Sequence, residues 1–71
     1  MMCGMFVTLN GSRHHFDPPP ATVGDLVHAL NLSGKRIAVE MNGEIVPKSR
    51  YGQTPVAAED RLEIVAAVGG G

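Results

Sequence analysis

Cysteine is nearly absent from this 71-residue chain: Cys3 stands alone. A single thiol closes no internal disulfide, so the sequence does not read as a stapled secreted miniprotein. Charge of one sign is also lacking. Six basic and seven acidic residues give a formal net charge of −1, and they are scattered. No basic stripe that could displace phosphate counterions is visible, which argues against a nucleic-acid partner. No apolar run approaches the ~20 residues that cross a bilayer, and the start lacks the pattern of a secretory signal. The sequence-based expectation is a cytoplasmic protein with no membrane partner. Length excludes more. A chain this short buries only roughly 60% of its unfolded surface, which leaves no room for a deep catalytic cleft. With 44% hydrophobic residues it can still build one efficient core without staples.

Met5-Phe6-Val7-Thr8-Leu9 alternates with period two and runs into Asn10-Gly11, two residues that tolerate the positive φ of a tight hairpin. The return strand is expected over Ser12 to Phe16, stopped by Asp17-Pro18-Pro19-Pro20, since prolines cannot donate to a sheet ladder. Thr22 reads as a helix N-cap, with Asp25 three residues on to close a capping box. Val23, Leu26, Val27 and Leu30 then form one apolar helical stripe of about two and a half turns. Asn31 to Gly34 suits a left-handed cap. So short a helix must gain its stability from packing on a sheet.

Ile37, Val39 and Met41 alternate again before a second hairpin signal, Asn42-Gly43, and a short strand, Glu44-Ile45-Val46, closed by Pro47. Lys48 to Thr54 reads as a turn or a single helical turn. The last strand is expected over Arg61 to Val68, with Leu62 and Ile64 on one face; only Gly69, Gly70 and Gly71 follow. Strand-rich halves around one helix predict an α+β domain. The order fits a β-grasp (ubiquitin-like) domain over residues 1–68, with a mixed four- to five-stranded sheet, its last strand inserted beside the first and one main helix packed across it. Residues 69–71 are expected to form a flexible tail.

Those glycines have most to say about function. They offer no side chains to pack and maximal backbone entropy to lose. Extended, they reach about 10 Å beyond the fold, thin enough to thread a channel in which any Cβ would clash. A carboxylate is a weak electrophile, but joining it to AMP creates a leaving group that a persulfide sulfur can displace to leave a thiocarboxylate, whose ionised sulfur is a soft nucleophile. The competing account is a frayed end. Alternation adds a partner surface: if Val7 and Leu9 face the helix, Phe6 faces away, and Val65 and Ala67 do the same opposite Leu62 and Ile64. The expected topology puts Phe6 near Val65, beside Val68 and the tail, as an apolar patch suited to binding.

Four segments carry a resemblance: Val7-Thr8-Leu9-Asn10-Gly11, Thr22-Val23-Gly24-Asp25-Leu26, Val39 through Lys48, and Glu63-Ile64-Val65-Ala66-Ala67-Val68-Gly69-Gly70-Gly71. Over nearly its whole length the chain resembles the ThiS branch of the ThiS/MoaD sulfur-carrier family. The Asn-Gly-Glu-Ile-Val-Pro-Lys run and the Gly-Gly end are together fairly specific. The resemblance implies that Gly71 is adenylated by an E1-like adenylyltransferase (ThiF type) using ATP and magnesium. A sulfur donor protein would then supply sulfur, and the thiocarboxylate would deliver it to a thiazole synthase (ThiG type) for the thiazole of thiamine. The carrier itself would be no enzyme and would bind no cofactor. Two departures stand out: the extension Met1 to Gly4, and Tyr51 where the family often has tryptophan. Carriers of the MoaD type serving molybdopterin, ubiquitin-like modifiers that form isopeptide bonds, and non-covalent interaction modules stay open as alternatives.

Other candidates read as structure. Cys3 has no partner in view. His14 and His15 point to opposite faces of a strand, and His28 is the only other histidine, so no metal site is expected. The carboxylates show no acid/base spacing. Lys35-Arg36 and Lys48 with Arg50 read as solvated clusters, and Gly4, Gly11, Gly24, Gly34, Gly43 and Gly52 as turns and caps.

Overall fold

A computed structural model describes residues 4–66. Strand β1, Met5–Leu9, turns at Asn10 (φ 50) and Gly11 (φ 82) into β2, Ser12–Phe16. Two successive left-handed residues match the right-handed twist of the strands they join, and they fix the register at Leu9↔Ser12. Asn42 (φ 53) and Gly43 (φ 88) repeat the device between β3, Ile37–Met41, and β4, Glu44–Val46. The last strand, β5, spans Arg61–Ala66. Its expected continuation through residues 67 and 68 lies outside the described residues, as does the boundary between domain and tail.

Helix α1, Val23–Ala29, opens where Thr22 Oγ1 accepts the Asp25 amide at 3.2 Å. The return arm of the expected capping box differs: Asp25 Oδ2 accepts from the Ala21 amide at 3.2 Å. The chain here is strapped to the segment that precedes β5, with the Val23 amide on the Thr54 carbonyl and the Val56 amide on the Ala21 carbonyl. This strap sets the entry to the helix. At the other end Asn31 takes φ 61, its amide bonds to the His28 carbonyl, and the Leu32 amide bonds to the Val27 carbonyl. These two bonds close the helix in the manner of a Schellman cap, a little before the expected length. Gly24, expected in a turn, lies within α1. A Cβ there would stand 3.4 Å from the Tyr51 carbonyl oxygen, in contact with the 3-10 helix Lys48–Gln53 that packs on α1. Gly52 likewise lies inside that 3-10 helix.

The five strands form one sheet in the order β2-β1-β5-β3-β4. β5 runs parallel to β1 (Thr8↔Arg61, Leu9↔Leu62) and antiparallel to β3 (Ile37↔Ala66 through Met41↔Leu62). The helix covers one face. Between them lie Val7, Leu9, Val23, Leu26, Val27, Val39, Val46, Leu62 and Ile64, with no buried polar side chain among the described residues. The helical stripe and the inward positions of β1, β3, β4 and β5 thus meet in one core, with Phe16 of β2 packed against its edge.

Candidate functional site

Alternation leaves the second face of the sheet open. Because Val7, Val39, Val46, Leu62 and Ile64 point inward, Phe6, Ala38, Glu40, Ile45, Arg61, Glu63 and Val65 point outward. Among the described residues three large apolar side chains stand exposed: Phe6 at 40%, Val65 at 58% and Ile45 at 70%.

Register decides which of these meet. β1 and β5 are parallel with Thr8 opposite Arg61. Phe6 lies two residues before that level and Val65 four beyond it, so they are about 20 Å apart along the strands. The expected Phe6–Val65 patch is therefore not formed. Phe6 is occupied at the other end of the face. The His15 ring packs on it at 4.7 Å, the Arg13 guanidinium lies 4.2 Å above its centroid, and its carbonyl accepts the Glu59 amide at 2.7 Å. Arg13 in turn pairs with Glu59 at 2.7 Å.

Val65 instead lies opposite Ala38 on β3. Ile45 on β4 sits opposite Glu40, which places it on the diagonal from Ala38, within reach of a long side chain. Val65, Ala38 and Ile45 make an apolar corner at the end of β5. Ile45 was missed, although its place next to the inward Val46 on an alternating strand was the available signal. Ala67, Val68, Gly69, Gly70 and Gly71, expected to complete the patch and the tail, lie outside the described residues, as does Cys3.

Two asparagines hold β5 in this position. Asn10 Oδ1 accepts the Ile64 amide at 2.8 Å, and Asn10 Nδ2 donates to the Ile64 carbonyl at 3.1 Å. Its side chain thus continues the β1–β5 ladder beyond the end of β1. Asn42 grips the other side: its side-chain Oδ1 accepts the Arg61 amide at 3.0 Å, and its backbone N–H donates to the Arg61 carbonyl at 2.7 Å. The turn signal predicted their backbone conformation and not this second role. Asn10→Gly keeps the left-handed turn but removes both bonds to Ile64. The expected result is a loss of about 1–3 kcal/mol in urea unfolding, together with faster hydrogen exchange at the Ile64 amide.

The remaining candidates do not gather. His14 lies opposite Val7 and His15 opposite Phe6, on different faces. Among the described residues no three His, Cys, Asp or Glu side chains converge as metal ligands, and no helix is long and apolar enough to cross a membrane. Tyr51 is half-buried, and its burial pushes the phenol above its ordinary pKa.

Comparison with known proteins accounts for this arrangement. A family model described as ThiS family matches residues 4–71. The chain is 38% identical over 63 residues to the sulfur carrier protein ThiS of Bacillus subtilis, covering 89% of this chain and 96% of that protein. It is 45% identical over 67 residues to a thiazole synthase of Paramagnetospirillum magneticum, covering 94% of this chain but only 20% of that protein. The chain therefore spans about a fifth of the length of such thiazole synthases, which contain a segment like it. Among solved structures, the thiamine biosynthesis protein ThiS of Geobacter metallireducens superposes with a TM-score of 0.81 at 30% identity, covering 94% of this chain and all of that one. With the family model matching through residue 71 and both ThiS proteins covered over nearly their whole length, the chain belongs to the ThiS family.

Proposed function

We propose that this chain is a sulfur carrier of thiamine biosynthesis, working through the carboxyl group of Gly71. The observation that carries the reading is the match to the Bacillus carrier over nearly its whole length, together with a family model that extends to residue 71. What the domain supplies is a compact support: a small core, a strand clasped on both sides by asparagines, and a run of glycines beginning three residues past Ala66.

The chemistry belongs to the partners. In a ThiF-type activating enzyme the Gly71 carboxylate attacks the α-phosphorus of ATP, helped by magnesium, and pyrophosphate leaves. A persulfide on the sulfur donor then displaces AMP from the acyl adenylate. Cleavage of the resulting acyl disulfide by a thiol leaves the thiocarboxylate, which a ThiG-type thiazole synthase consumes. Thiazole synthases with a ThiS-like segment in the same chain support the last partnership, since covalent linkage raises the effective concentration of one module at the other. The use of ATP by the activating enzyme supports a cytoplasmic location for the carrier. For docking, the apolar corner of Val65, Ala38 and Ile45 takes the place of the Phe6–Val65 patch. Phe6, covered by Arg13 and His15, is given no docking role.

Intact mass tests the reading. Incubated with ATP, magnesium, the activating enzyme and a persulfide donor, the full chain should gain about 16 Da, the exchange of one carboxyl oxygen for sulfur, and a thiol-reactive alkylating agent that traps the thiolate should then add the mass of its alkyl group. Covalent linkage to other proteins would identify a modifier instead. Sulfur transfer to molybdopterin synthase but not to thiazole synthase would identify a MoaD-type carrier.

A further inference from the structure

Four of the six lysines and arginines, Lys35, Arg36, Lys48 and Arg50, fall in two short segments. The fold brings one residue of each segment to the same groove. Lys35 and Lys48 lie on the rim of a cavity of about 200 Å³ whose apolar lining includes Val27, Leu32, Ile37 and Tyr51. Arg36 separates Lys35 from Ile37 in the chain. Among the described residues the single ion pair is Arg13–Glu59, so no carboxylate there neutralises either lysine.

Position gives this groove its interest. Ile37, part of its lining, is also the β3 residue opposite Ala66, the last pair of the β3–β5 ladder. The groove therefore opens beside the point from which the chain continues toward Gly71. Any protein that takes the glycine run into a channel must bring the lip of that channel against this spot.

We propose that Lys35 and Lys48 form a cationic rim that docks the activating enzyme, receiving an acidic residue of its channel lip while a neighbouring apolar side chain of the lip enters the groove. The proposal rests on the sulfur-carrier reading. Among the encounters of the carrier, adenylation is the one in which an anionic carboxylate approaches an ATP-loaded, strongly anionic site. The carrier as a whole carries a formal net charge of −1 and offers no general attraction to compensate. A local positive rim at the root of the tail, facing an acidic lip, lowers that repulsion and orients the encounter, so its effect falls on association and on salt dependence. Glu40 and Glu63, opposite one another on the open face, lie on the other side of the sheet from the groove, so the two faces of the carrier present different charge to a partner.

The test uses the full chain and a purified ThiF-type enzyme, with ATP–pyrophosphate exchange measured as a function of carrier concentration at low and at near-physiological salt. Reversing both charges, Lys35→Glu with Lys48→Glu, should raise the carrier KM about tenfold at low salt, leave kcat within about twofold, and remove most of the salt dependence that the unaltered chain shows. Neutralising both, Lys35→Gln with Lys48→Gln, should give about a third of that rise and keeps the proposal testable if the reversed pair folds poorly, which thermal unfolding reports. An unchanged KM in a folded variant overturns the proposal. So does a lowered KM, which would mean that the lysines hold the chain's own terminal carboxylate and must release it. No exchange with the unaltered chain would overturn the sulfur-carrier reading, and this inference with it. That failure is distinct from a lysine variant matching an active parent.

Discussion

Removing Gly70 and Gly71 is expected to leave a folded domain that no longer becomes a thiocarboxylate. Among the described residues all nine buried core positions lie between Val7 and Ile64, and the clasps from Asn10 and Asn42 grip β5 at Ile64 and Arg61. The deletion touches none of them, so the thermal midpoint should move by no more than about 2 °C, the size of a surface change. The reacting group, by contrast, retreats by two residues, about 7 Å of extended chain. Displacements of about 1 Å at a reacting centre already cost ~100-fold in rate, so adenylation of the shortened chain should fall below detection. Pyrophosphate exchange and intact mass measure this directly. A shortened chain that still gains sulfur at wild-type rate would place the chemistry elsewhere and remove Gly71 from the mechanism. Adding one residue after Gly71 should abolish the reaction equally well, because it changes where the carboxylate stands without altering the fold.

That asymmetry, a domain indifferent to its end and a reaction wholly dependent on it, follows from how locally the fold is encoded. The turns Asn10-Gly11 and Asn42-Gly43 set two strand pairs to the residue, since only a few residue types accept two left-handed conformations in succession. The stripe from Val23 to Leu30 could be read because helical periodicity survives in seven residues. What could not be read was the offset between strands that share no turn. Alternation reports which face a side chain takes and is silent on how far one strand slides past another. β1 ends at Leu9 and β5 begins at Arg61, so most of the chain lies between them and their register depends on the sum of it. That is why Phe6 and Val65 share a face yet stand at opposite ends of it.

The same blindness hid the second role of Asn10, whose partner Ile64 is 54 residues away. It also hid the meeting of Lys35 with Lys48 at the root of the tail. In each case the sequence displays the residue type but not its neighbour. The chemistry of the site was more legible than its surroundings, because a run of glycines at the end of a strand needs no tertiary contact to be recognised. Its docking surface is a tertiary property and had to be seen.

Leu26→Ala is expected to be the most damaging single truncation in the core, and the reason is the size of the domain. Leu26 is fully buried and heads the largest such side chains, with Leu62, Val7, Val23 and Val39. It sits at the centre of the stripe by which the seven-residue α1 is held to the sheet. A helix this short has almost no stability of its own, so removing its central contact weakens both the cavity lining and the helix. Leucine-to-alanine changes at such sites cost about 3–5 kcal/mol. A domain of this length has a total stability of only about 4–10 kcal/mol. The variant should therefore lose a third or more of its stability, seen as a lower urea midpoint with little change in slope. Leu30→Ala, at a half-buried position on the same stripe, should cost less than half as much. Because Leu26 lies under the helix and not at the end of β5, the folded fraction of the Leu26→Ala protein should still be converted to thiocarboxylate at low temperature. Loss of conversion in a demonstrably folded sample would mean that the truncation disturbs the groove lined by the neighbouring Val27, where Lys35 and Lys48 are proposed to dock the activating enzyme.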